Sequence, residues 1–404
     1  MKSPDSSYFI HNREKVMKKL QGGLLVVAGY TGMQLTNDDS VPFVQEATFW
    51  YLCGVDFPDW WLIIDAKRQK TWLVEPDIDE RLKIFSESLS KETALATSGV
   101  DEVISRDDAM SLLRRTAKDH PLVYTVEHPD YHEHFGFTLN PAIKEMKDML
   151  SRTFSTVRNF RLEIAKIRAI KEKNELEWMQ AAIDLTIDAF KLVKEKLPTY
   201  KYDYQIQADI THLFLNAGAE GHAFDPIIAT GEGTATVHYF SKKNHIKKGT
   251  PLLMDIGVRL NGFTSDLTRT YAIGKPSRRL GQIHSAVLKA EQQCINLLRP
   301  GLSVEEYYQS TEKIMKAALV ELKLMEEGDN EKYRLLFPHS ISHGLGIDVH
   351  EALGRPHYFE PGMVLMVEPG IYLQDEKFGV RLEDVILITD TGHKNLSAKL
   401  STSL

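Results

Sequence analysis

Two stretches of this chain repeat one pattern: a glycine, five residues, an acid, one residue and a second glycine. They are Gly249-Thr-Pro-Leu-Leu-Met-Asp255-Ile-Gly257 and Gly362-Met-Val-Leu-Met-Val-Glu368-Pro-Gly370. Each is followed by a second apolar run bearing another acid, Asp266 within residues 264–273 and Glu383 within residues 380–388. Runs of this length and composition read as strands. The echo therefore predicts a duplicated strand pair, two halves facing each other across a site. Carboxylates are rarely buried unless paired or bound to metal, so acids that end such apolar runs restrict the fold more than any other feature.

Between Asp255 and Asp266 lies Asn261-Gly262, a strong hairpin signal. With those two residues as the loop, residue 255 lies opposite 268, and Asp266 falls on the same face as Asp255, diagonally displaced by about 7–8 Å. Carboxylates aimed at one point repel each other unless a cation lies between them. Four acids on two strand pairs exceed what one ion requires and suit two bridged ions. Ahead of the second acidic strand, Pro338-His-Ser-Ile-Ser-His343-Gly-Leu-Gly-Ile-Asp-Val-His350-Glu351 sets histidines in a glycine-punctuated segment. Carboxylates with an imidazole form a hard, oxygen-rich shell suited to manganese, cobalt, iron or zinc rather than copper. Mn(II) is the first expectation.

A chain of 404 residues predicts about two domains. Over residues 1–157, apolar runs at 24–28, 60–64, 71–74 and 122–126 alternate with amphipathic stretches, an α/β pattern. A long helix follows, with Leu176, Met179, Ile183, Ile187, Phe190 and Val193 on one face before Pro198. The boundary is placed near Arg158, giving domains 1–157 and 158–404. Ser303 and Glu306 announce a further helix to about Leu324.

The formal charge of −7 argues against a nucleic-acid partner. Cys53 and Cys294 lie far apart and outside any C-x-x-C pair, so neither a disulfide framework nor a thiolate zinc site is expected. With a polar start and no apolar run near the ~18 residues of a membrane helix, the expectation is a cytoplasmic protein without membrane partners. Two decoys carry less weight. Gly231-Glu-Gly233 lacks the lysine and spacing of a phosphate loop, and His128, His132 and His134 read as a solvated turn and helix start.

The matches Met254-Asp-Ile-Gly257, Thr264-Ser-Asp-Leu-Thr-Arg-Thr270, Ser342-His-Gly-Leu-Gly346, Asp348-Val-His350, Val367-Glu-Pro-Gly-Ile-Tyr372 and Val380-Arg-Leu-Glu-Asp384 are together highly specific. In order and spacing the chain resembles the creatinase/aminopeptidase superfamily of pita-bread fold, and within it the Xaa-Pro peptidases, aminopeptidase P and prolidase. The resemblance covers residues 160–404. Phe49-Trp-Tyr-Leu-Cys-Gly54 is similar to the family's accessory domain, which disfavours methionine aminopeptidase. The implied fold is a creatinase-like α/β amino-terminal domain with a mixed sheet, plus an α+β pita-bread catalytic domain with pseudo-twofold duplicated strand pairs.

The resemblance implies that Asp255, Asp266, His343, Glu368 and Glu383 ligate two divalent metals, with Glu368 also the general base and His350 and His238 handling substrate. Arg381, Tyr372 and His339 match positions beside the site, and Phe224 stands where relatives often carry Tyr. The implied activity is hydrolysis of the amino-terminal Xaa-Pro bond of peptides by a homodimer or homotetramer. The proline ring has no N–H and a fixed φ, so its pocket should be apolar, with Phe224, Tyr239 and Phe240 as offered walls. An Xaa-Pro dipeptidase is the alternative, with Arg355 a candidate to hold the dipeptide's carboxylate. A non-catalytic pita-bread binding protein is remote, since all five ligands are present.

Overall fold

The computed structural model describes residues 3–79, 81, 85, 87–128 and 136–404. His132 and His134 lie outside the described residues. Two compact units are formed, one ending at Ile167 and the other spanning Arg168–Leu404. No helix among the described residues is long and apolar enough to cross a membrane.

The amino-terminal unit is built on a mixed six-stranded sheet. Its strands are β1 (Leu24–Ala28), β2 (Trp61–Asp65), β3 (Lys70–Val74), β4 (Glu102–Ile104), β5 (Leu122–Thr125) and β6 (Thr156–Asn159), in spatial order β4-β3-β2-β1-β5-β6. β1 is antiparallel to β2 and parallel to β5. It is buried at all five positions, which explains an apolar run without alternation. Leu24, Val26, Ile63, Val74 and Val123 pack with Leu113, Met146 and Leu150, from the helices Arg106–Thr116 and Pro141–Thr153, into one core.

Gly54 caps the helix Ala47–Cys53 in the left-handed conformation, φ +69°, donating its N–H to Trp50 O. A Cβ there would lie 2.3 Å from the Phe9 ring. Overpacking and the left-handed penalty together make Gly54→Ala cost about 2–4 kcal/mol. A denaturant midpoint unchanged by this substitution, followed by circular dichroism, would contradict that reading.

In the carboxy-terminal unit, β9 (Pro251–Ile256) lies between β8 (Ile227–Thr230) and β12 (Leu267–Ala272). β10 (Val258–Leu260) and β11 (Phe263–Thr264) close over Asn261-Gly262, whose φ values of 54° and 77° are those of a type I′ turn. The hairpin register runs unbroken into the longer pair, so Thr268 stands opposite Asp255, as the turn predicts. The second half repeats the plan. β13 (Val364–Val367) pairs antiparallel with β16 (Asp384–Ile388), which also pairs with β17 (His393–Asn395), while β14 (Gly370–Leu373) pairs with β15 (Phe378–Arg381).

Two predicted strands are interrupted. Residues 264–273 break at Ser265 and Asp266, and residues 380–388 break at Leu382 and Glu383. At the second break Leu382 N still keeps the register, donating to Pro369 O, while Glu383 N leaves the ladder and crosses to Thr268 O in the other half. The predicted long helix spans Lys173–Lys196, and that after Ser303 spans Val304–Glu321, with Ser303 Oγ accepting from Glu306 N. Helix Arg278–Leu297 packs Ile283, Val287 and Cys294 with Met315, Leu365 and Ile386 into the unit's main core.

Candidate metal centre

The four acids sit where strands end. Asp255 is the penultimate residue of β9, Glu368 follows β13, and Asp266 and Glu383 immediately precede β12 and β16. Strand pairing forces each acid toward its partner, and the Thr268–Glu383 bridge joins the two halves. His343 arrives by a third strand-like segment: Met366 N donates to His343 O, and Glu368 N donates to Ile341 O, so residues 341–345 run antiparallel beside β13. β8 flanks β9 in the first half in the same way.

These elements bring His343 Nε2 within 3.7 Å of Asp266 Oδ2, 3.7 Å of Glu368 Oε1 and 3.9 Å of Glu383 Oε1. Ligand atoms of Asp266, His343 and Glu383 all lie within 4.8 Å of one another. His343 Nδ1 faces Gly344 O at 3.0 Å. A carbonyl can only accept, so Nδ1 carries the proton and Nε2 turns a lone pair toward the carboxylates, the tautomer a metal requires.

Arg381 spans the site from behind. Its Nη2 donates to Asp255 Oδ2 at 2.5 Å, Nη1 to Tyr372 Oη at 2.6 Å and Nε to Thr268 Oγ1 at 3.3 Å. Thr268 Oγ1 in turn donates to Glu383 Oε2 at 2.7 Å. His339 Nδ1 donates to Ser340 O, which leaves its Nε2 to accept from Tyr372 Oη at 2.8 Å. His339 Nδ1 is also 3.4 Å from Glu368 Oε2. One chain of hydrogen bonds thus runs from Asp255 through Arg381 and Tyr372 to His339 beside Glu368.

Burial and crowding set the charge states. Burial first, then the neighbouring carboxylates, raise Asp266 and Glu368 well above the usual carboxyl range, and Glu383 is pushed up to about 8, chiefly by burial and then by Asp255. Burial lowers His343 and His339 to about 3, with His350 and Arg381 respectively adding to the effect, so both rings stay neutral. Arg381 is held charged well above its ordinary value, because Tyr372, Asp255 and Glu368 outweigh the penalty of its burial. Asp255 Oδ1 and Asp266 Oδ1 are buried with no hydrogen-bond partner. Repelling carboxyls, orphaned oxygens and a correctly faced imidazole together describe a site fitted to divalent cations.

The structure thus brings together Asp255, Asp266, His343, Glu368, Glu383, Arg381, Tyr372 and His339. His350 joins them, its ring 4.3 Å from that of His343. His238 is exposed, yet close enough to lower the pKa of both His339 and His350. The Phe224 ring lies beside Gly257, 2.9 Å from where a Cβ would stand. Tyr239 is buried with Ile227, Ala229 and Leu253, its hydroxyl bonded to Asp203. Phe240 is exposed. Gly231–Ala235 is a short helical turn whose Thr234 Oγ1 accepts from Gly379 N, a packing role. Thr268 was not singled out by sequence reading, although the hairpin register had already placed it opposite Asp255.

Comparison with known proteins identifies the family and the fold. Metallopeptidase family M24 matches residues 177–390, and the aminopeptidase P N-terminal domain matches residues 9–124. The Xaa-Pro aminopeptidase of Haemophilus influenzae is 30% identical over 418 residues, covering 96% of this chain and 94% of that protein. That of Escherichia coli (strain K12) is 26% identical over 419 residues, covering 97% and 94%. The structure of aminopeptidase P from E. coli in its low-pH form superposes with a TM-score of 0.86 at 25% identity, covering 100% of this chain and 97% of that one.

Proposed function

Because this chain belongs to metallopeptidase family M24, we propose that it is a metal-dependent aminopeptidase acting on the amino-terminal Xaa-Pro bond of peptides. The observation that carries the chemistry is the convergence of Asp266, Glu368 and Glu383 on the lone pair of a buried imidazole, His343, with Asp255 beside Asp266 and Glu383. Asp255, Asp266, His343, Glu368 and Glu383 would hold two divalent cations. Such ions, when bound, lower the pKa of water and polarise the scissile carbonyl.

The protein's own groups do the rest. Glu368 takes the proton of the attacking water, and the His339–Tyr372–Arg381 chain orients its carboxylate. His350 donates to the oxygen that gains charge as the carbonyl is attacked, an interaction that strengthens only toward the transition state. His238 holds the proline side of the substrate, with Phe224 an apolar neighbour. The substrate's free amine is placed near Asp255, which limits cleavage to the first bond.

Mn(II) is the expected ion, supported by the oxygen-rich donor set. The reading extends to an accessory domain and a catalytic domain; the boundary expected at 157/158 falls inside β6 of the amino-terminal sheet, and the compact units divide at Ile167 instead. A reducing, cytoplasmic setting is supported by two buried free cysteines. A homodimer or homotetramer follows from the family resemblance.

Chelation should abolish turnover and Mn(II) should restore it. After restoration, an Xaa-Pro-Xaa tripeptide should be cleaved faster than an Xaa-Pro dipeptide. The reverse preference would make the enzyme a prolidase, and cleavage of neither with any divalent ion would overturn the reading.

A further inference from the structure

The loop from Gly344 to Glu351 connects His343 to His350. Its backbone closes on itself: Glu351 N donates to Gly344 O at 2.9 Å, and Gly346 N donates to Asp348 O at 3.0 Å. Inside the ring lies the Glu351 side chain, whose residue is only 4% exposed. Its Oε2 accepts from Ile347 N at 2.8 Å, its Oε1 accepts from Arg168 Nε at 3.0 Å, and Lys171 Nζ stands 3.7 Å from Oε1. Arg168 Nη2 also reaches Asp348 Oδ2 at 3.3 Å.

Gly346 has no room for a side chain, since a Cβ there would lie 1.8 Å from Glu351 Oε2. Its carbonyl receives both the N–H and the hydroxyl of Thr264, each at 2.8 Å, which ties the loop to the strand leading to Asp266. Lys171 donates its side chain to Arg168 O and its backbone N–H to Gly362 O, just ahead of β13. A buried carboxylate is thus held by two buried cations and one backbone N–H, at the end of a loop that sets the His350 ring edge-on to that of His343, centroids 4.3 Å apart. Burying three charges is costly unless each is paired in good geometry. A loop needing only to be covered could be filled with apolar side chains instead.

The geometry points to Glu351 as a positioning residue: its carboxylate, anchored by Arg168 and Lys171, closes the loop and holds His350 in place against His343. It lies outside the cluster of candidate ligand atoms and acts through His350. The inference rests on the oxyanion role given to His350 above and deepens it.

The test is a double-mutant cycle. Glu351→Gln keeps the volume but removes the buried counter-charge that Arg168 and Lys171 share, leaving Arg168 the exposed Asp348. It should lower kcat about 10–100-fold, the usual cost of losing an outer partner at a metal site, with KM changed less than about threefold because the lost interaction forms only in the transition state. Placed on His350→Ala, the same substitution should cost less than about twofold more, since both act through one group. Full additivity of the two losses, or an unchanged kcat, overturns the assignment.

If Glu351→Gln does not fold, Arg168→Lys decides. It keeps the charge but cannot reach both Glu351 and Asp348, and the same non-additive loss of kcat is expected. A readout independent of turnover is the ring signal of His350 in histidine-labelled protein without added metal. It should move in Glu351→Gln while His284 and His393 hold still, and an unmoved signal in a folded variant overturns the inference. Because that readout needs no substrate, failure of the peptidase reading and failure of this one remain distinguishable.

Discussion

Glu368→Ala removes turnover of Xaa-Pro peptides by at least about 10²–10⁴-fold, the range for loss of a positioned general base. The expectation is strong because one side chain serves two purposes. Glu368 Oε1 lies 3.7 Å from His343 Nε2, inside the cluster that would hold the cations, while Oε2 lies 3.4 Å from His339 Nδ1, at the end of the hydrogen-bond chain from Arg381. Loss of a ligand and loss of a base should be separable by Glu368→Gln, which keeps an oxygen able to coordinate but cannot take the proton. Metal content measured beside kcat distinguishes them: the glutamine variant retains more metal than the alanine variant, and neither turns over at a wild-type rate. Undiminished turnover in Glu368→Ala would sink the mechanism, whichever ion is bound.

The largest stability effect is expected at Arg269. Its guanidinium is 1% exposed and satisfied throughout: Nη2 donates to Asp384 Oδ1 at 2.6 Å and to Leu400 O at 3.0 Å, Nη1 to Thr268 O at 2.9 Å and Glu383 O at 2.7 Å, and Nε to Ser401 O at 3.1 Å. Arg269→Met keeps the aliphatic stem of the side chain and deletes the guanidinium and its charge. Asp384 then keeps the donors of Ser397 and Asn395, the carbonyls of Glu383, Leu400 and Ser401 lose the Arg269 donor, and Thr268 O keeps Glu383 N. Breaking a buried ion pair from one side costs about 3–5 kcal/mol, which for a unit of this size lowers the melting midpoint by roughly 10 °C. A calorimetric shift under about 2 °C would show that the desolvation penalty of the pair cancels its attraction. Arg269→Lys should recover only part of the loss, because an ammonium cannot serve five acceptors in a plane.

The catalytic half was legible where periodicity and turn chemistry acted locally. Asn261-Gly262 specified a tight hairpin, and its register alone placed Asp255 opposite Thr268 and on the same face as Asp266. The apolar runs before Asp255 and Glu368 announced strands, and the glycine-acid-glycine echo announced their duplication. What stayed hidden depends on partners distant in the chain. Nothing in Leu382-Glu383 announces a break, because the break exists only when Glu383 N finds Thr268 O across the fold. The segment 341–345 mixes Ser, His and Gly without alternation, so its place beside β13 could not be read. Glu351 looks like an ordinary charged residue until Arg168, 183 positions earlier, arrives beside it. Tyr239, offered as a pocket wall on its aromatic character, packs into a small core with its hydroxyl on Asp203, a partner 36 residues away that its own neighbours in sequence do not announce.

The hydrogen bond between Thr268 and Glu383 joins residues 115 apart in sequence. Contacts of such separation require long loops to close and are characteristic of slow, late steps in folding. Either half could form its own hairpins early, yet each supplies only two of the four acids. A chain emerging from synthesis would therefore present isolated carboxylates, soluble and charged, and would complete the cation-binding set only as the last strands dock. Tight metal uptake should then track the final cooperative step of folding, so the two ions reward the native state and no partly folded species before it.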